Sequence, residues 1–242
     1  MISVSDLTVV YGTTRVLNGV SLDIEPGEVM VLLGGSGSGK TTLLRHIIGL
    51  EHPTSGTVRV RGVDINRCSR KELEGIRRTM GVAFQECALF NSMSIEENVS
   101  LPLQELTTLA DPVIEIMTYM KLAAVGLGEA GKQMPQELSG GMKKRAAVAR
   151  ATSLDPEILV FDEPSAGLDP VVAAGLDDVI LLLKRAFLEA SLSYDHLGRD
   201  ARVGKCIPHR RPYSHAISGL THRCRKQGVV PVEYESAYPP VS

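Results

Sequence analysis

No stretch of this 242-residue sequence approaches the roughly 18–20 consecutive apolar residues that span a bilayer. There is no excess charge of either sign: 26 Lys and Arg face 28 Asp and Glu, a formal net charge of -2. No global field therefore favours nucleic acid as a partner. The start, Met1-Ile2-Ser3-Val4-Ser5-Asp6, lacks the basic and apolar regions of a secretory signal. Four cysteines, at 68, 87, 206 and 224, are not at zinc-ligand spacings. Together these features lead us to expect a cytoplasmic chain with reduced thiols. Its length suits one globular domain with a subdomain.

The chain opens with two patterns of alternating apolar and polar residues. Residues 2–10 read as an edge strand and residues 16–24 as a second strand, closed by Pro26-Gly27-Glu28. Val29 to Leu33 is a short apolar run, expected to be a strand buried on both faces. A Gly-rich loop follows, then a helix from Lys40 to Leu50. A turn at 53–56 precedes a strand over 57–60 and a hairpin turn near Gly62. A helix over 71–78 leads to a strand over 80–84. Residues 86–137 carry helical periodicity, best at Ile95–Leu101 and Pro112–Leu122. A Gly-rich cap and helix over 139–152, a buried strand at Ile158–Phe161 and a helix over Val172–Ala186 complete the regular part.

Chemistry concentrates in two places. Gly34-Gly35-Ser36-Gly37-Ser38-Gly39-Lys40-Thr41 fits G-x-x-x-x-G-K-[ST]. Glycines let backbone N–H groups curl around phosphate oxygens, and a helix starting at Lys40 aims its positive end at the same anion. Lys40 would reach the β- and γ-phosphates of ATP, and the Thr41 hydroxyl would ligate Mg²⁺, with Thr42 beside it. In Ile158-Leu159-Val160-Phe161-Asp162-Glu163, an apolar strand delivers Asp162 to the Mg²⁺ shell and Glu163 to the attacking water as general base.

Between these motifs lies Leu138-Ser139-Gly140-Gly141-Met142, followed by Lys143-Lys144-Arg145. With the phosphate loop and the acidic strand, it makes the chain resemble the ATP-binding subunits of ABC transporters. The resemblance implies an α/β fold: a P-loop NTPase (RecA-like) core with an N-terminal antiparallel β subdomain and an inserted α-helical subdomain over about 86–142. It also implies a homodimer sandwiching two Mg-ATP, in which Ser139, Gly140 and Gly141 grip nucleotide held by the other subunit. The loop Ser165-Ala166-Gly167-Leu168-Asp169 would cross the seam, placing Asp169 at the nucleotide. Gln85 matches a glutamine that touches Mg²⁺ or water and senses integral-membrane permease subunits; its plainer reading is a surface amide. Tyr11 stands where an adenine-stacking aromatic is expected, or is an ordinary strand aromatic. The resemblance places the chain on the cytoplasmic face of the inner membrane, peripherally bound.

A narrower resemblance rests on residues 137–145, Glu163–Pro170 and Leu89-Phe90-Asn91-Ser92-Met93-Ser94. These look like the MCE/Mla-type ATPases, which energise phospholipid transport with a permease and an MCE-type lipid-binding protein. Lys143, Lys144 and Arg145 also read simply as a solvated helix face. Soluble ABC ATPases of DNA repair or translation usually carry tandem copies or long coiled-coil insertions, and neither is present.

The resemblance covers residues 1–187. Beyond it lie four of the six His and four of the six Tyr, and no apolar run fit for a buried strand. The family requires a further strand ending in a His that contacts the γ-phosphate. Spacing selects His196, but Ser191-Leu192-Ser193-Tyr194-Asp195 is not such a strand, and without one the His is not held within hydrogen-bond reach. The codons for Asp195 to Ile217 can be chosen so that a frame shifted by one nucleotide spells T-I-L-V-V-T-H-E-L-E-S-A-F-L-I-A-D-R-I-A-M-L, an apolar strand, a Thr-His and an amphipathic helix. Residues 188–242 are therefore expected to be an out-of-frame, poorly ordered tail, with ATP hydrolysis impaired as the alternative function. The tail's Cys206, His209, His215, His222 and Cys224 fit no zinc spacing.

Overall fold

A computed structural model describes residues 1–192, apart from Leu33 and Ser36 and apart from the side chains of 181 and 184–192. The expectations for His196 and for the 188–242 tail beyond Leu192 lie outside the described residues. The chain divides into two compact units, Met1–Leu73 and another beginning at Glu74.

In the first unit, strand β1 (Ile2–Tyr11) pairs antiparallel with both β2 (Thr14–Ile24) and β3 (Ser55–Val60), and β4 (Val63–Asp64) adds to β3. The order is β2-β1-β3-β4, so β1 is interior rather than the edge strand its alternation implied. The alternation is also not continuous. Ile2 and Val4 are buried at even positions, Leu7 and Val9 at odd ones. A bulge reconciles them: the register shifts between Val4 and Leu7, and Asp6 takes a left-handed φ of 50°. The extra residue returns all four apolar side chains to one face. Gly56 is required beside this bulge, because a Cβ there would lie 2.5 Å from the Asp6 carbonyl oxygen.

Helix α1 (Lys40–Ile47) buries Leu43, His46 and Ile47. It stops three residues short of Leu50. The Leu50 N–H donates to the Arg45 carbonyl (2.9 Å) and the Gly49 N–H to His46 (3.1 Å), a Schellman closure with Gly49 left-handed at φ 71°. The run 29–33 is the main departure. It contributes a single bridge residue at Val29, residues 30–32 carry no strand, and Val31 is 41% exposed. A strand needs neighbours for its N–H and C=O groups, and the sheet of this unit takes its four strands elsewhere in the sequence.

Helix α2 (Arg70–Arg78) spans the division between units. In the second unit, β5 (Met80–Ala83) and β6 (Ile158–Phe161) form a parallel pair, Met80 opposite Ile158 through Ala83 opposite Phe161. Among the described residues it also holds the α-helices α3 (Ile95–Leu106), α4 (Asp111–Ala124), α5 (Gly140–Ala151) and α6 (Pro170–Leu192). Helix α3 starts at a capping box, with the Ser94 Oγ accepting from the Glu97 N–H (3.2 Å) and Glu97 accepting from the Ser94 N–H (2.6 Å). It buries Ile95, Val99 and Leu103 at helical spacing. Helix α5 is Ala-rich, burying Ala146, Ala147, Val148 and Ala149 in succession, and it packs on β5 and α3. Buried Asn98 ties down the loop before α3: its Oδ1 accepts from the Phe90 N–H (2.8 Å), and its Nδ2 donates among the carbonyls of Phe90, Met93 and Ser94. None of the described helices is long and apolar enough to cross a membrane.

Candidate functional site

In the first unit the phosphate-loop residues gather at the head of α1. Gly37 and Gly39 are left-handed, at φ 78° and 92°. The Ser38 N–H donates to the Gly35 carbonyl (3.2 Å), which bends the loop. Gly39 occupies the N-cap position with no side-chain cap bond. A Cβ at Gly39 would also lie 2.7 Å from Leu17 Cδ2, so the loop sits against β2. The Lys40 Nζ donates to the carbonyls of Gly34 (2.9 Å) and Gly35 (3.1 Å). An ammonium folded back over a glycine loop, at a helix start without a capping side chain, suits a polyphosphate. Thr41 and Thr42 follow in the first turn, and the Thr42 carbonyl bonds His46 Nδ1 (2.7 Å). Ser36 lies outside the described residues.

Tyr11 ends β1 and is 47% exposed. Its hydroxyl donates to Glu51 Oε2, and Arg45 pairs with the other oxygen of Glu51 at 3.3 Å. The hydrogen bond to Glu51 raises the Tyr11 phenol above its usual range. The same bond holds Glu51 below the usual carboxylate range. Sequence reasoning singled out Tyr11 but not Glu51, its partner 40 residues away.

In the second unit β6 delivers Asp162 and Glu163. Asp162 is buried, and its N–H donates to the Ala83 carbonyl (3.0 Å), extending the β5–β6 pairing by one residue. A buried carboxylate at a strand end has the chemistry of a hard-cation ligand such as one for Mg²⁺. Glu163 is left-handed at φ 46°. Gln85 follows β5 and is exposed. Just after it, Cys87 and Ala88 are consecutively left-handed, at φ 62° and 49°. Burial pushes the Cys87 thiol up.

Ser139 is the N-cap of α5, its Oγ accepting from the Met142 N–H (3.3 Å). A Cβ at Gly140 would make only an ordinary contact, 3.7 Å to Leu168 Cδ2, whereas a Cβ at Gly141 would meet Val172 Cγ1 at 2.5 Å. Gly141 is thus required by packing against α6. Asp169 caps α6, its Oδ1 accepting from the N–H groups of Val171 (3.0 Å) and Val172 (3.1 Å).

The basic run after the signature is not a uniformly solvated face. Lys144 is 9% exposed, and its Nζ donates to the Glu163 carbonyl (3.3 Å). Farther along α5, Arg150 donates to the carbonyls of Ala88 (2.7 Å) and Cys87 (2.9 Å). Sequence reasoning did not single out Arg150, and nothing local marks a contact spanning more than sixty residues.

Residues 17–166 match the protein family described as ABC transporter. The chain is 48% identical over 207 residues to a probable ribonucleotide transport ATP-binding protein mkl of Mycobacterium leprae, covering 86% of this chain and 59% of that protein. It is 41% identical over 196 residues to the intermembrane phospholipid transport system ATP-binding protein MlaF of Haemophilus influenzae, covering 81% and 74%. A dimeric ATP-binding cassette solved in a post-hydrolysis state with ADP and Pi superposes with a TM-score of 0.71 at 29% identity, over 77% of this chain and 84% of that one. The chain spans little more than half the length of the mycobacterial relatives it matches. The 207-residue match is longer than the 187 residues of the expected resemblance, so it continues past Phe187.

Proposed function

The chain belongs to the ABC transporter family, and from that premise we propose that it is the ATP-binding and ATP-hydrolysing subunit of a transporter, moving phospholipid. The observation that carries the nucleotide part is the Lys40 ammonium held by the Gly34 and Gly35 carbonyls at the uncapped start of α1. When ATP enters, its phosphate oxygens replace those carbonyls as partners of Lys40 and take the loop N–H groups. Tyr11 offers an exposed ring for the adenine. Thr41, Asp162 and Gln85 are the residues that would hold Mg²⁺, which supplies neutralisation of phosphate charge. Glu163 accepts the proton of the attacking water. Ser139, Gly140 and Gly141 of one copy, with Asp169 in its loop, complete the site of a second copy; the dimeric cassette of similar fold supports this pairing.

The phospholipid assignment rests on the similarity to the protein named for intermembrane phospholipid transport and on the Met142–Arg145 variant of the signature. It brings with it permease subunits in the inner membrane, an MCE-type lipid-binding protein, and a peripheral place on the cytoplasmic face. A second reading, ribonucleotide transport, is favoured by the relative at 48% identity, a probable ribonucleotide transport ATP-binding protein. ATPase stimulation by the copurified permease in phospholipid vesicles, against stimulation by ribonucleotides, separates the two.

Hydrolysis is tested on purified protein. Glu163→Gln is expected to lower kcat by roughly 10²–10⁴-fold, the usual worth of a general base, while Lys40→Ala loses ATP binding. Equal and measurable turnover in wild type and Glu163→Gln would overturn the role of Glu163, whereas absent turnover in both is the outcome of the impaired tail. For the tail we infer a frameshift just after Phe187, supported by the strand, Thr-His and helix that the shifted frame of Asp195–Ile217 spells, and opposed by the match to the mycobacterial relative, which continues past Phe187. Sequencing the gene decides it, since a coding strand unable to encode that peptide ends the inference. An ATP-binding but hydrolysis-impaired module is the function that follows from such a tail, and restored turnover in the frame-corrected chain is its signature.

A further inference from the structure

We propose that α5 positions the two loops that carry the reacting groups, with Lys144 setting the backbone of Glu163 and Arg150 setting the segment after Gln85. The inference rests on the hydrolytic reading above and goes beyond it, because neither residue touches nucleotide in that scheme.

The starting point is backbone strain. Outside glycine, a left-handed φ is strained and persists only where the surroundings over-determine it. Among the described residues Glu163, Cys87 and Ala88 are left-handed non-glycines, and the carbonyl of each accepts from a cation on α5. The remaining three, Asp6, Arg61 and Asp155, belong to a bulge, a hairpin turn and the connection into β6, where local turns explain them.

The chemistry of each clamp suits its task. Arg150 presents two parallel N–H donors from one rigid plane, and the successive carbonyls of Cys87 and Ala88 take one each, at 2.9 and 2.7 Å. An ammonium can reach two consecutive carbonyls, as Lys40 does, but it lacks the fixed plane that sets their relative orientation. Arg150 is half-buried, and this burial lowers its pKa; its bonds to carbonyls are stronger there than at a fully wet surface. Lys144 is also buried. It shares the Glu163 carbonyl with the Ala166 N–H, at 3.3 and 3.1 Å, closing the turn that follows the acid. Helix α5 itself begins at the Ser139 cap. One rigid element therefore runs from the signature to both loops.

The test compares Lys144→Met, Lys144→Arg and Arg150→Lys with wild type and Glu163→Gln. A hydrogen bond from a charged donor is worth about 1.5–3 kcal/mol, roughly 10–100-fold in rate. Lys144→Met is expected to lower kcat by that factor, with the KM for ATP within about threefold. Lys144→Arg should recover most of the rate. Arg150→Lys, which keeps the charge and loses the fork, should also lower kcat. A readout independent of turnover is amide exchange: in Lys144→Met the Ala166 amide should exchange about tenfold faster, with Val4 and Val58 in the first unit unchanged. If Glu163→Gln loses turnover while Lys144→Met keeps full kcat, the positioning role is overturned and the hydrolytic reading stands. If wild type and Glu163→Gln hydrolyse alike, the hydrolytic reading fails, and unchanged Ala166 exchange then removes the clamp as well. Loss of kcat and a rise in KM together, with no recovery by arginine, would make Lys144 merely structural.

Discussion

Replacing Gly81 by alanine tests the seat of α5 on β5. A Cβ at Gly81 would lie 2.0 Å from the Ala151 carbonyl oxygen and 2.8 Å from Pro156 Cγ. A carbon and a carbonyl oxygen normally approach no closer than about 3.3 Å, so the two elements must part by more than an ångström. Neither side yields easily. Gly81 is in the ladder opposite Leu159, and Ala151 ends a helix buried over Ala146–Ala149. Gly81 has no positive φ, so the cost is steric alone. Overpacking of this kind costs about 1–3 kcal/mol, and the short contact to backbone places Gly81→Ala at the upper end, about 3 kcal/mol. For a chain of this size that lowers Tm by roughly 6–12 °C. Two other glycines calibrate the measurement. Gly37 has open space but φ 78°, so Gly37→Ala should cost only about 1 kcal/mol of left-handed strain. Gly75 lies in α2 with open space and no positive φ, so Gly75→Ala should stabilise by about 0.5–1 kcal/mol. Thermal and urea unfolding of all three give the order. A Gly81→Ala protein that melts with wild type, or above Gly37→Ala, would refute the packing.

The Tyr11–Glu51 bond bounds a pH window. The Tyr11 phenol is raised above its ordinary 10.0, so its share of stability is full below that value and is lost as pH climbs through the raised one; Glu51 is lowered from 4.5, so its share is full above that value and is lost as pH falls through the lowered one. The phenolate absorbance missing from Tyr11→Phe should therefore appear above pH 10, and titration at or below the ordinary value would contradict the bond. At α6, Asp169→Ala removes the acceptor of two N–H groups and should cost about 0.5–2 kcal/mol in urea unfolding, with Asp169→Asn close to wild type.

What was legible in the sequence was local. The alternation of β1 and β2, the helical periodicity from Ile95 and the Gly-rich head of α1 each declare themselves within a few residues, because propensity and turn chemistry act over that range. The 29–33 run shows the limit. Its composition reports burial, but a strand also needs partners, and partners are set by distant residues. The interior place of β1 was hidden for the same reason. The alternative reading of the basic run as a solvated face fails at Lys144, which is buried, because an Ala-rich helix is narrow enough to be enclosed nearly all round. Glu51 and Arg150 carry no local mark. Their contacts join residues 40 and more than 60 apart in sequence, and only the folded chain brings them together.

The Asn98 amide holds its loop entirely through main-chain groups, the N–H and C=O of Phe90 and the carbonyls of Met93 and Ser94. Main-chain bonds are indifferent to the side chains beside them. Phe90, Asn91 and Ser92 are exposed, and each can be exchanged without altering what Asn98 grips. The loop is in this sense heritable in two parts: one buried side chain transmits its shape, and three surface positions are left to diverge. Selection for a new contact on that surface can proceed by single substitutions, with no intermediate in which the loop loses its form.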